Sequence, residues 1–255
     1  MYPVLFRFDK LAIYSYGLFV TLGFVVLVLV VWHEARRRGR PNQETAVLLL
    51  ASLAGAAVGS RLVWILILGP SPELLNPYTW FSSGGTHFHY MGILIGGYVG
   101  GLIAKRALDV KEMLGDPFAL GLPAMMVLVR IGCLLGGCCY GKPSDVPWAV
   151  YLHGAYRHPT QLYEGLFQAA ALVLLWRWRS RMPRPGDLLK LYYLAYALFR
   201  FGQQFLRDDH PIVASGLTVP HFICLGILAW LALDLWFDRR RSSDQTAALV
   251  VERGR

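Results

Sequence analysis

The chain has 255 residues, 55% of them hydrophobic, and a formal charge of +9, with a mean hydropathy of +0.43. So apolar a composition, without long polar stretches, excludes an ordinary soluble domain and points to a bilayer. The positive charge does not indicate nucleic acid, because Lys and Arg fall in short blocks between apolar runs, as charges that set membrane topology do.

Seven apolar stretches, at 12–32, 45–69, 90–104, 118–136, 162–176, 188–205 and 214–237, predict an all-α integral membrane protein of seven transmembrane helices. The first run follows Arg7 and Lys10, but it is too long for the apolar core of a signal peptide, so it is expected to be a retained helix. Cations follow alternate spans. Arg36, Arg37, Arg38 and Arg40 come after the first, and Lys105, Arg106 and Lys111 after the third. Arg177, Arg179, Arg181 and Arg184 follow the fifth, with Lys190 opening the sixth, and Arg239, Arg240 and Arg241 end the seventh. The other side has only Arg7, Lys10, Lys142, Arg157 and Arg207, and Gly69 to Tyr90 contains no Lys or Arg. The bias predicts a periplasmic N-terminus and a cytoplasmic C-terminus. Residues 1–241 are read as the membrane domain and 242–255 as a short polar cytoplasmic tail that frays. No internal repeat suggests an inverted-repeat transporter.

Three arginines fall within or at the outer ends of apolar spans: Arg61 in "VGSRLVW", Arg130 in "VLVRIGC" and Arg200 in "ALFRFGQQF". A guanidinium at bilayer depth costs about 2.5–3.5 kcal/mol on insertion scales, so each should face a polar cavity or an anion. All three can converge in the outer half of the bundle. Glu164 is the only carboxylate inside a span before the inner end of the seventh, which leaves a net positive pocket. The planar fork of Arg matches phosphate oxygens, so a phospholipid head group is the expected ligand. "YRHPTQLYEG" opens the fifth span with Arg157, His158, Gln161, Tyr163 and Glu164, and residues 157, 161 and 164 share roughly one helical face. His158 is a candidate base, with His87 and His89 in competition. The glycines of "MGILIGGYVGG" fit tight helix packing, and those of "RIGCLLGGCCYG" end a span beside an arginine.

Four cysteines, Cys133, Cys138, Cys139 and Cys224, are too few and too clustered for a disulfide scaffold. A quinone-linked thiol enzyme would want a Cys-x-x-Cys pair and a second shuttle pair, and a metal site built on these thiols with His87, His89 or His158 lacks the usual ligand spacing. Small-residue packing accounts for Cys133.

The landmarks in order are "YSYGL" in span one, "GSR" in span two, and a Gly-rich third span after a His-bearing loop. They continue with "RIG(x)8G" closing span four, "RHPTQLYE" opening span five, "FR" and a polar turn in span six, and a basic tail. Over nearly its whole length the chain resembles the prolipoprotein diacylglyceryl transferases. The resemblance implies transfer of the diacylglyceryl group of phosphatidylglycerol to the lipobox cysteine thiol of a preprolipoprotein signal peptide in the bacterial inner membrane, releasing glycerol phosphate. It implies no cofactor and no metal. By resemblance Tyr16, Arg130, Gly141 and Arg200 match family positions, as do Arg61, Gln161, Tyr163 and Glu164 at the phospholipid site. The expected phosphate clamp is Arg130 with Arg200, Tyr16 lines the head-group site, and His158 or His89 is the base. Three signature positions depart, since the family's Asn, Asn and Glu are Cys133, Gly136 and Cys138. Gln204 replaces a Glu, and His89 stands two residues from the family's loop histidine. The alternatives are a diverged lipid-handling relative with another acceptor and a membrane thiol redox protein.

Overall fold

The computed structural model describes residues 3–8, 11–69, 89–109, 115–182, 184–208 and 211–253; His87, Lys10 and Lys111 lie outside them. Among the described residues the chain forms seven α-helices. These are α1 (Ser15–Arg37), α2 (Asn42–Leu68), α3 (Tyr90–Ala107), α4 (Asp116–Gly136), α5 (Thr160–Trp178), α6 (Asp187–Gln204) and α7 (Val219–Arg253). Three two-stranded antiparallel hairpins join them: β1 (Val4–Phe8) with β2 (Leu11–Tyr14), β3 (Val150–Leu152) with β4 (Ala155–Arg157), and β5 (Ile212–Ala214) with β6 (Leu217–Thr218). The hairpins precede α1, link α4 to α5 and link α6 to α7, so all three belong to one end of the bundle.

Four helices are long and apolar enough to cross a membrane: α1, α2, α4 and the Val219–Phe237 part of α7. The others are 18 or 19 residues long. Leu29, Leu50 and Leu66 lie exposed on helix faces, the arrangement of a bundle solvated by hydrocarbon. Two element ends differ from the sequence expectation. Helix α1 begins at Ser15 because Leu11–Tyr14 pairs with β1. Helix α7 continues to Arg253, through the segment read from the sequence as a fraying tail.

The packing follows from composition. Helix α4 starts on Asp116 with Pro117 in its first turn, where a missing N–H leaves no intrahelical bond unmade, and it stops at Gly137 in the left-handed conformation. It packs against α1 and α5, while α2 packs on α3 and α6 on α7. Between α2 and α3 the backbones nearly touch: a Cβ at Gly59 would stand 2.5 Å from the Gly92 carbonyl oxygen, and one at Gly96 would collide with that of Gly55. Gly96→Leu is therefore expected to destabilise the fold by about 1–3 kcal/mol or more. A lowered thermal midpoint in detergent checks this, and an unchanged midpoint rules out the close approach.

Polar groups gather at both ends. At one, Glu34 accepts from Arg37 Nε at 2.7 Å and Arg179 Nη1 at 2.8 Å, and Asp116 accepts from Arg38 Nη1 at 2.9 Å and the Gly186 N–H at 3.0 Å. These groups come from the end of α1, the start of α4, the end of α5 and the turn before α6. At the other end, the starts of α1, α3 and α5 meet the ends of α2, α4 and α6 around a cavity.

A cationic cavity closed by a cysteine loop

The cavity has a volume of about 470 Å³, within the usual range for a small-molecule site. Tyr16, His89, Arg130, Arg200 and Arg207 line it, with Cys133, Cys138 and Cys139 on the same wall. Its apolar side includes Met91, Met125 and Met126. A second cavity of about 90 Å³, more apolar, adjoins it and shares Phe24 and Ile93.

Glu164 organises the charges. It is fully buried one turn into α5, and its Oε1 accepts from Arg130 Nη2 at 2.7 Å and the Tyr196 hydroxyl at 2.8 Å. Its Oε2 faces Arg200 Nη1 at 3.5 Å and Arg207 Nη1 at 4.0 Å. Three guanidiniums thus surround one carboxylate. Positive charge held in place inside a bundle is arranged before any ligand arrives. Arg130 is held tightly by Glu164 and also points Nη1 at the Cys133 sulfur, 3.8 Å away. Arg200 is held more loosely, by Gln203 Oε1 at 3.1 Å.

A relay of hydrogen bonds ties the arginines to the loop after α4. Gln203 Nε2 donates to the Thr160 carbonyl at 2.6 Å, Thr160 Oγ1 donates to the Cys139 carbonyl at 2.7 Å, and Gln161 Nε2 donates to the Cys138 carbonyl at 2.7 Å. The first turn of α5 therefore fixes the cysteine backbone. Hydrogen bonds from the Cys133 and Cys138 thiols, with the Arg207 and Arg130 charges adding, hold the Cys139 thiol well below the usual thiol range against the opposing pull of burial.

The remaining sequence candidates separate. His89 lines the cavity, its backbone N–H bonded to Ser60 Oγ at 2.7 Å and its ring edge-on to Trp64 at 5.9 Å. His158 faces the Tyr163 hydroxyl instead, Nδ1 to oxygen 3.2 Å, and Tyr163 also receives Trp148 Nε1 at 2.7 Å; neither lines the cavity. Gln161 acts through the Cys138 carbonyl rather than from the lining. Arg61 is buried in α2, but it too stands outside the lining set. Gly141 lies in a backbone junction: its N–H donates to the His158 carbonyl at 3.2 Å, it bridges to Arg207, and a Cβ there would meet the His158 oxygen at 2.6 Å. It is needed for close approach and does not touch the cavity.

Sequence reasoning missed Arg207, which it counted as a loop charge on the outer side. The bridge between Gly141 and Arg207, with Lys142 N–H on the Leu206 carbonyl at 2.8 Å, folds the turn after α6 back onto the cavity wall. It missed Tyr196 and Thr160 too. Tyr196 sits one turn before Arg200 on the same α6 face, and that spacing was the available signal.

Four apolar helices of membrane-crossing length, with a buried cluster of cations around one acid between helices, define a multi-pass membrane protein. Residues 3–236 match the family model described as prolipoprotein diacylglyceryl transferase. The chain belongs to that family. It is 34% identical over 229 residues to the phosphatidylglycerol–prolipoprotein diacylglyceryl transferase of Geobacter sulfurreducens, covering 86% of each chain. It is 32% identical over 263 residues to the enzyme so named from Bordetella bronchiseptica, covering 93% of this chain and 95% of that one. With the enzyme so named from Clostridium tetani it shares 30% identity over 239 residues, 88% of this chain and 93% of that one.

Proposed function

We propose that this chain transfers the diacylglyceryl group of phosphatidylglycerol to the thiol of a lipobox cysteine in a preprolipoprotein signal peptide. The observation that carries the reading is the trio of guanidiniums around Glu164 in a cavity between apolar helices. Arg200 and Arg207 take the phosphate, and Arg130, anchored on Glu164, completes the positive wall. The apolar cavity that meets the first at Phe24 and Ile93 gives the acyl chains a path.

The acceptor thiol gives its proton to a base, for which His89 in the cavity wall is the better candidate than His158. The sulfur then forms a bond to the glyceryl carbon. The bond from that carbon to the phosphate oxygen breaks with its electron pair, and glycerol phosphate leaves. The charge gathering on the departing phosphate meets cations already in place, which is where electrostatic catalysis is strongest.

The bundle crosses the inner membrane seven times, with residues 1–241 as the membrane domain and 242–255 as its cytoplasmic extension. Arg36 to Arg38, Arg177 to Arg184 and Arg239 to Arg241 lie at the end opposite the cavity, and the positive-inside rule makes that end cytoplasmic. The N-terminus and the cavity mouth then face the periplasm.

Purified protein supplied with labelled phosphatidylglycerol and a lipobox peptide is expected to place label on the peptide thiol, and none on a peptide whose cysteine is serine. Folded, lipid-binding protein that labels neither peptide would overturn the reading in favour of another acceptor.

A further inference from the structure

Cys133, Cys138 and Cys139 stand in the cavity wall with no part in the steps above. Their Sγ atoms all lie within 4.8 Å of one another. A zinc ion about 2.3 Å from each of three thiolates holds the sulfurs about 4 Å apart, so small side-chain rotations close the set. The convergence is built by the backbone. Cys133 occupies the last turn of α4, Gly137 turns the chain at φ 75°, and the Cys138 N–H returns to the Cys133 carbonyl at 3.2 Å. Neighbouring side chains of an extended segment point apart, but Cys139 adopts φ 60°, which turns its thiol toward that of Cys138. A cysteine in that conformation is strained and persists only where its surroundings enforce it. Here the Gln161 and Thr160 side chains do so through the two carbonyls.

The charge around the thiols fits as well. Three thiolates with a divalent cation carry one net negative charge, which opposes the excess left by Arg130 and Arg200 over Glu164. Thiolate ligands select zinc-class cations over magnesium or calcium. Three protein ligands with an open fourth position mark catalytic rather than structural zinc.

We propose that Cys133, Cys138 and Cys139 bind a zinc-class cation as three thiolates, with its open fourth position facing the cavity to receive the acceptor thiol as a thiolate. The role of that fourth position rests on the transferase reading; the three-thiolate site does not. On binding the metal the acceptor thiol gives its proton to His89 or to water. Its sulfur forms the bond to the glyceryl carbon as the carbon–oxygen bond to phosphate breaks, and the metal keeps its oxidation state. The thioether product, a poorer ligand than a thiolate, leaves the fourth position free.

The test uses the full chain in detergent, stripped with a chelator and titrated with Co²⁺ alone. A near-ultraviolet thiolate-to-cobalt band saturating at one equivalent and bleached by Zn²⁺ is expected. The band should be lost in Cys138→Ser and Cys139→Ser and kept in Cys224→Ser. Zn²⁺ should also shield three of the four wild-type thiols from alkylation, a readout that needs no variant to fold. Absence of the band and of the shielding in folded protein, or a band unchanged in Cys138→Ser, overturns the site. The lipobox peptide should shift the cobalt visible bands while its Cys→Ser form does not, and chelation should slow transfer at least tenfold, reversibly with Zn²⁺. Undiminished transfer by metal-free protein overturns the metal's role and leaves the transferase reading intact. A cobalt site that responds to the thiol peptide, in a protein that transfers nothing from phosphatidylglycerol, supports the site and sinks the transferase reading.

Discussion

Glu164→Gln is expected to lower the thermal midpoint sharply and to stop transfer in the same step. The carboxylate is fully buried and faces Arg130 at 2.7 Å, Arg200 at 3.5 Å and Arg207 at 4.0 Å. The amide keeps the shape and one acceptor, so the packing around Tyr196 survives. What disappears is the negative charge that three guanidiniums face. Removing one partner of a buried ion pair typically costs about 3–5 kcal/mol, because the remaining charges lose their compensation without regaining water. Here Arg130 loses its anchor, and the guanidiniums repel one another. The check is thermal unfolding in detergent beside the labelled-lipid assay, with Arg130→Gln and the double variant to complete a cycle. The double variant should lose much less than the sum of the two single losses, since each removes the same interaction. Additive losses would mean that Glu164 and Arg130 act independently.

The helices were legible as apolar runs, a signal that depends on composition alone, and four of them are long and apolar enough to cross a membrane. The element limits were less so. Nothing apolar distinguishes Leu11–Tyr14 from the helix that follows; it is a strand because Val4–Phe8 lies beside it. In the site, Arg130, Arg200 and Glu164 could be read from the cost of burying charge, and the structure brings them together. Arg61 met the same criterion and does not line the cavity, since the criterion says that a charge needs company but not whose. Arg207 was hidden for the opposite reason: a cation in a loop needs no explanation until the chain around Gly141 folds it inward. The thiol cluster was the least legible feature. Spacings of five and one suit no common ligand motif, and they converge only because Gly137 and Cys139 adopt left-handed backbone conformations that a cysteine does not advertise. His158 and His89 could not be separated by sequence, because the difference lies in their surroundings: His89, before α3, lines the cavity, whereas His158, before α5, faces the Tyr163 hydroxyl.

Arg200→Ala should leave the bundle nearly as stable as before and reduce turnover by roughly 10²–10³-fold, the usual loss when one fixed donor to a developing anion is removed. The asymmetry with Glu164 comes from the distances. Arg200 contributes to the carboxylate only at 3.5 Å, where Arg130 already supplies the close contact, and its own hydrogen bond is to the neutral Gln203 amide. Its removal lessens like-charge repulsion with Arg207 while it costs a long-range attraction to Glu164, so the two effects on stability offset. For the leaving phosphate there is no such offset, because every positive charge near it helps. Arg200→Lys should recover part of the loss, since the charge returns while the planar fork that grips two phosphate oxygens does not. The rate should fall at saturating phosphatidylglycerol, with the change in kcat exceeding that in KM, because the charge on phosphate grows as the bond breaks. A variant that loses only apparent lipid affinity would make Arg200 a docking group for the head group. An alanine variant with full turnover would remove it from the phosphate clamp and leave Arg207 and Arg130 as the cations that meet the leaving group.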